Sequence, residues 1–276
     1  MSATFDDLVG ELDERIAQGG KDAASFLEVE DLFANIVDNK LYIQKMNAVL
    51  HSVLERTTRT NALLTAGTFM SLHSSSQSTW IIMEHRRKSQ FLYMTPVHLF
   101  QTPIAGSGYS VDFYKIAGND SFERVSKDTT IEHTREEWIA PGKIAFKSGE
   151  GQIMDVLPLE SSERLISVRA SSSPIGPFQV NFDRETRKIF GLTPVNPMLS
   201  NLTTIFDLLA DVASTDSIEC LRPFVNHEQH FIRWRAIRSI YAIDQADGIE
   251  LVKGALTDPH TQIRAAATAT LSQLSA

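Results

Sequence analysis

Ile232-Arg233-Trp234-Arg235-Ala236 and Ile263-Arg264-Ala265-Ala266-Ala267 are one helical segment written twice, 31 residues apart. Reading outward, the offset holds: Ile218 falls on Ile249, Leu221 on Val252, Val225 on Leu256, Ile240 on Leu271 and Ile243 on Leu274. Apolar residues at helical spacing, repeated at this period, describe a two-helix unit that buries its apolar face only by stacking on a neighbour. Two units are few. The first therefore predicts a further layer, supplied by a helix over 201–213 or by the N-terminal helices. A short break at Pro194, Asn196 and Pro197 precedes that helix. Such stacks present surfaces to partners more often than they build active sites, so another protein is expected to dock along 216–276.

The chain has 276 residues, 42% hydrophobic and 22% charged, a composition that supports a real core in one large domain or two ordinary ones. Its formal charge of −8 argues against a nucleic-acid or anionic-membrane surface, since both need a basic face. The single cysteine, Cys220, allows no intrachain disulfide and reads as a small core residue of an apolar helical pattern. A reducing compartment is expected. Residues 1–10 are acidic and lack the basic region and apolar run of a signal peptide. No apolar stretch is long enough to span a bilayer. The expectation is a cytoplasmic protein.

Residues 1–58 read as helix. Phe5, Leu8, Leu12 and Ile16 form a one-sided stripe, Gly19-Gly20 ends it, and further patterns run through Phe26, Leu32, Ile36 and Val37, then Leu41, Ile43, Met46, Leu50 and Leu54. This segment holds 5 basic and 11 acidic residues, read as a solvated outer face. Residues 59–200 change to short runs of Val, Ile, Phe, Tyr and Thr. The predicted strands are 63–73, 79–85, 90–94, 97–101, 109–116, 121–125, 143–147, 151–156, 164–170, 177–182 and 187–190. Turns are expected at Ala117-Gly118-Asn119-Asp120, at 147–151, at the hairpin tip Asp183-Arg184-Glu185-Thr186, and at Gly106-Ser107-Gly108 as a hairpin turn. Such strands predict an antiparallel sandwich or barrel. The expected fold class is α+β and multidomain: a helical segment at 1–58, a β-barrel or sandwich at 59–200, and helical repeats at 201–276.

Thr257-Asp258-Pro259-His260-Thr261-Gln262-Ile263-Arg264-Ala265-Ala266-Ala267 resembles the start of the second helix of HEAT-like repeats. There an Asp-Pro turn leads into a helix carrying Val/Ile-Arg and then small residues. Asp258 is expected to cap the helix that Pro259 begins, and Arg264 to reach back to the oxygens of the turn. The first unit departs from the pattern, with His227-Glu228 in place of Asp-Pro and Trp234-Arg235 in place of two alanines. Trp234, Arg235 and Arg238 form a candidate basic and aromatic contact ridge for a partner protein; the competing reading buries Trp234 and solvates the arginines.

The layout of 63–190 resembles a cupin of the cysteine-dioxygenase-like branch. The likeness rests on the Pro141-Gly142 strand entry, on Leu157-Pro158, on Arg164-Leu165-Ile166-Ser167-Val168-Arg169-Ala170, and on the hairpin from Phe178 to Thr186. Catalytic members of that fold hold iron or another divalent metal with a His-x-His pair and a third His one hairpin later. This chain has no His-x-His, and Gly151-Gln152-Ile153-Met154-Asp155 offers only a carboxylate where a third ligand belongs. The β segment carries His73, His85, His98 and His133. The resemblance then implies a barrel without metal or other cofactor, its hollow filled by Trp80, Phe91, Tyr93, Phe113 and Tyr114 or binding a small molecule through them. The alternative is an Fe2+ or other divalent metal held by His73, His85 and His98. No hydrolase, kinase, zinc-finger or dinucleotide motif appears. The expected function is that of an interaction or accessory protein, with homo-dimerisation possible. Its rival is a metal-dependent cupin oxygenase with unusual ligands.

Overall fold

The computed structural model describes residues 3–54, 69–85, 88–118, 125, 128–157, 164–212 and 215–274. They form two compact units, Met1–Val195 and Asn196–Ala276.

The first unit opens with four helices: α1 (Phe5–Gln18), α2 (Ala23–Leu27), α3 (Glu30–Asp38) and α4 (Leu41–Leu54). A reciprocal capping box between Thr4 and Asp7 starts α1, and Gly19 caps its end. Eleven strands follow: β1 (Phe69–Ser74), β2 (Ser78–His85), β3 (Phe91–Met94), β4 (Leu99–Ala105), β5 (Tyr109–Ile116), β6 (Ile131–Ile139), β7 (Ala145–Lys147), β8 (Gln152–Leu157), β9 (Leu165–Ser172), β10 (Phe178–Asp183) and β11 (Ile189–Pro194). Their hydrogen-bonded orders are β1-β2-β9-β4-β7, β11-β10-β3 and β6-β5-β8. β3 also runs beside β8. The chain thus alternates between a β2-β9-β4-β7 sheet and a β3·β8-β5-β6 layer, the winding of a jelly roll, the architecture that cupins share. Among the described residues no sheet closes on itself, so the sandwich alternative of the sequence reading is the one formed.

The outer face of the five-stranded sheet is covered by the N-terminal helices. Trp80, Ile82, Phe100, Val168 and Ala170 pack against Phe5, Leu12, Phe26, Phe33 and Ile36. The Trp80 indole stacks on Phe33 at 5.3 Å and meets Phe5 edge-on at 5.6 Å. Residues 5–42 thus do more than expose acidic groups, because their apolar stripe roofs the sheet.

Three expectations need correction. Strand β6 was not among the predicted strands. Its centre, Glu132-His133-Thr134-Arg135-Glu136, is solvent-exposed on both faces, so an edge strand leaves no period-2 apolar signal. Gly106-Ser107-Gly108 is no hairpin turn, since β4 and β5 belong to different sheets; it carries the chain from one to the other. Gly108 has φ +118°, and a Cβ there would sit 2.6 Å from the Ile139 carbonyl oxygen, so the crossing requires glycine. Cys220 is exposed, because its short helix turns only Ile218 and Leu221 inward. Residues 121–124 of the predicted strand 121–125, and Asn119-Asp120 of the turn, lie outside the described residues. The Asp183–Thr186 hairpin tip forms as expected, with the Asp183 carboxylate accepting from Thr186 N and Oγ1, both at 2.8 Å.

The second unit comprises α5 (Pro197–Val212), α6 (Ser217–Leu221), a 3-10 turn at Arg222–Asn226, α7 (His230–Ile243), α8 (Gln245–Gly254), a 3-10 turn at Ala255–Thr257 and α9 (Thr261–Leu274). Helices α7 and α9 begin and end 31 residues apart. Ile232, Ala236 and Ile240 of α7 pack with Phe206, Ile218 and Leu221, so α5 supplies the extra layer. Ile237 joins Val252, Ala255, Ile263 and Ala267 in the next layer. The two arginines of the repeat act alike. Arg233 donates from Nη1 to the carbonyls of His227 and Glu228, and Arg264 from Nη1 to those of Asp258 and Pro259. Helix α9 starts at Thr261, two residues later than Pro259, and Asp258 instead accepts from His260 N at 2.7 Å within the turn.

Candidate functional site in the cleft between the sheets

Because side chains alternate across a strand, the register of the large sheet fixes what its inner face carries. Trp80, Ala170, Phe100 and Phe146 align on the outer face. One step along, Ile81, Arg169, Gln101 and Ala145 align on the inner one. Ser167, Met83 and His85 continue that face in one direction and Lys147 in the other. Opposite stand Tyr109, Val111 and Phe113 of β5 with Met154 and Val156 of β8. One wall of the cleft is polar and the other apolar.

The polar wall is knitted together. Arg169 donates from Nε and Nη2 to Gln101 Oε1 at 2.8 and 2.6 Å. Gln101 Nε2 donates to the Tyr109 hydroxyl at 3.0 Å and lies 3.4 Å from His85 Nε2. That ring nitrogen also meets Ser167 Oγ at 2.8 Å. At the far end Lys147, 1% exposed, donates from Nζ to Thr95 O at 2.7 Å, Thr95 Oγ1 at 3.2 Å and Gln152 O at 3.5 Å. No carboxylate among the described residues pairs with Arg169 or Lys147. Burial therefore acts on cations with no counter-charge. It pushes Arg169 down to about 10, still charged at neutral pH. Burial and the Arg169 charge push Lys147 down to about 7 and His85 down to about 4. Burial raises the Tyr109 phenol to about 12.

His85 makes stability pH-dependent. Its folded value lies below its ordinary 6.5, so between those limits the unfolded chain binds more protons. Stability is expected to fall as pH drops from about 6.5 to about 4, by roughly 3 kcal/mol at most. Urea midpoints across that window measure it, and His85→Gln removes most of the slope. An unchanged slope in that variant would place the titration elsewhere.

The donor set does not fit a divalent metal. Among the described residues no three or more His, Cys, Asp or Glu side chains converge to hold an ion. The cleft offers one imidazole beside a guanidinium, whose charge repels a cation. His73 lies on β1, with Nε2 3.2 Å from Asp13 of α1. His98 is buried on the helix side, its Nε2 3.0 Å from Lys21 O and its Nδ1 accepting from Gly149 N at 3.1 Å. His85 stands at the opposite end of β2 from the Ser78–Ser172 pair that adjoins His98. The three rings do not meet. Asp155 sits on the other face of β8 from Met154, held bidentately by Arg184.

The five aromatic candidates do not share one hollow. Trp80 lies under the helices, Phe113 on the apolar wall of the cleft, and Tyr114 in a separate core with Leu92, Met94 and Phe182. Phe91 packs on Phe190 at 4.4 Å, and Tyr93 is exposed. Arg169, Gln101, Tyr109, Ser167 and Lys147 went unassigned in the sequence reading. The signal that finds them is an arginine at an inward position of a strand whose neighbours are all apolar or small, where charge is rare unless paired. In the second unit Trp234 packs into the α7–α9 layer, Arg235 pairs with Asp207 of α5, and Arg238 is exposed.

Among curated proteins there is no match to the chain. Among solved structures, protein TT1209 of Thermus thermophilus is 14% identical, with a TM-score of 0.26 over 44% of this chain and 93% of that one. A Klebsiella pneumoniae protein with a double-stranded β-helix domain is 14% identical, with a TM-score of 0.25 over 41% and 84%. DMSP lyase DddQ of Ruegeria pomeroyi is 12% identical, with a TM-score of 0.26 over 45% and 58%. Those scores are low, and the jelly-roll assignment rests on the strand pairings. HEAT repeats match residues 203–272, about a quarter of the chain.

Proposed function

We propose that the chain is a recognition protein. Its jelly-roll unit holds a small molecule between the sheets, and its HEAT-like unit docks another protein. The observation that carries this reading is the inner wall of the cleft, where Arg169, Gln101 and His85 form one hydrogen-bonded set that reaches the Tyr109 hydroxyl of the facing, otherwise apolar wall. A few convergent polar groups against an apolar wall suit a bound ligand. The docking role rests on the repeats and on α5. That helix buries Phe206 while exposing Met198, Ile205, Leu208 and Val212 at steps of seven, three and four residues. A helix apolar on both faces calls for a partner along its outer stripe. A second copy of the chain would serve there as well as a different protein. No helix among the described residues is long and apolar enough to cross a membrane, and the reading places the protein in the cytoplasm.

Elemental analysis of the full-length protein, purified without chelator, tests this reading against a metal-dependent oxygenase. Iron, nickel and copper are expected well below one equivalent. One equivalent of metal, lost on His85→Ala, would replace recognition with oxygenase chemistry.

A further inference from the structure

We propose that the open face of α5 pairs with the same face of a second copy of the chain, the two helices lying antiparallel across a two-fold axis at Ile205. The assignment rests on the docking reading of the HEAT-like unit and names its partner. Met198, Asn201, Ile205, Leu208 and Val212 are all exposed, and they recur at steps of three and four residues. That is the narrow seam of a coiled coil, wide enough for one helix. Asn201 is its one polar member, and a polar residue in such a seam fixes register at some cost in stability.

The two ends of the helical stack differ. A stack of repeats ordinarily closes each end with a polar outer face. Helix α9 does so, exposing Thr261, Gln262, Thr268, Ser272 and Gln273, with Leu274 adding one apolar tip in the last turn. Helix α5 does not. It buries Phe206 against α6 and α7 and leaves its outer seam uncovered by any described residue. Because the α9 end is polar, copies have no apolar surface on which to continue head to tail into a filament. They meet like end to like end, which closes at two.

The seam is also complementary to itself. Ile205 lies seven residues from both Met198 and Val212, so an antiparallel mate sets Met198 on Val212 at each end and Ile205 on Ile205 at the centre. Like charges stay apart. The charged side chains of α5 are Asp207 and Asp211. Asp207 is held by Arg235 of α7. Asp211 comes to lie beside the first turn of the other helix, whose free N–H groups form its positive end. A parallel mate would instead bring Asp211 next to Asp211. The helix has 16 residues and is about 24 Å long, so the pair buries less than a standard interface. An affinity of roughly micromolar is expected.

Sedimentation of the full-length protein from roughly 1 to roughly 100 μM, with peroxide oxidation of Met198 read by mass spectrometry, tests the assignment. The mass is expected to rise from one chain to two and stop, with Met198 protected as the dimer forms. Ile205→Glu sets two carboxylates face to face on the axis and is expected to weaken the dimer by roughly a hundredfold or more, as is Ile205→Lys with two ammonium groups. Ile205 is on the surface, so both variants are expected to keep the parent melting temperature at low concentration. Mixing the two variants is expected to restore the dimer, since glutamate then meets lysine. A mass that climbs past two copies, a dimer indifferent to both variants, or a mixture that stays monomeric overturns the proposal. A monomer at every concentration also overturns it, and Met198 then separates the readings. Readily oxidised, it leaves the stripe open to a different protein. Protected, it shows the stripe covered within the chain and sinks docking by α5 as well.

Discussion

Replacing Arg233 by Ala is expected to destabilise the HEAT-like unit by about 3–5 kcal/mol, well beyond the effect of the same change at Arg264. The two residues are equivalent by repeat, and each donates to two turn carbonyls of its own unit. Only Arg233 also reaches the following unit, where Nε and Nη2 grip the Asp258 carboxylate at 2.9 and 2.6 Å. Both side chains of that pair are about nine-tenths buried, at 11% and 10% exposure. The fork holds the Asp258 carboxyl below the usual carboxylate range. Removing the guanidinium leaves a buried carboxylate without its cation, held only by the His260 N–H, and frees the turn beneath α7. Arg264→Ala loses carbonyl bonds alone, about 1–2 kcal/mol. Urea unfolding with hydrogen exchange read over 215–274 separates the two. Equal losses would mean that the bridge between repeats adds nothing to their stacking.

Gly248→Ala is expected to be about as damaging, costing roughly 3 kcal/mol or more. A Cβ at Gly248 would lie 2.2 Å from Tyr241 Cα, 2.5 Å from its Cβ and 2.8 Å from its N. Two of those atoms are α7 backbone, which cannot rotate aside, so α7 and α8 must separate and open the layer around Val252 and Ile237. The same change at Gly254 meets nothing within 4 Å. There, at the end of α8, alanine is expected to be neutral or to stabilise by up to about 1 kcal/mol. Melting curves of the two variants give the contrast. Similar values would show that the helices absorb the methyl by sliding.

The repeat was legible because its signal is periodic and local. Ile232, Ala236 and Ile240 recur on one helical face, and the 31-residue offset brings Arg233 and Arg264 to the same task. The jelly roll was legible in its strands and less so in their pairing. β6 went unseen because Glu132 to Glu136 face solvent on both sides, and no pattern in the chain distinguishes a crossing at Gly106–Gly108 from a hairpin. The cleft stayed hidden because its residues come from β2, β4, β5, β7 and β9, and only register brings them together. Attention to aromatic residues misled as well. Trp80 turns to the helices and Tyr114 to another core, since a single step along a strand reverses the face.

The central claim is that the interior of the jelly roll carries positive charge with no acidic partner among the described residues. Lysine side-chain carbon NMR, with Lys147→Met identifying the signal, reads this directly as a function of pH. The account expects one lysine, absent from the variant, to titrate at about 7. If Lys147 titrates with the surface lysines at its ordinary value near 10.5, the interior is already neutralised or open to bulk water, and the account is wrong.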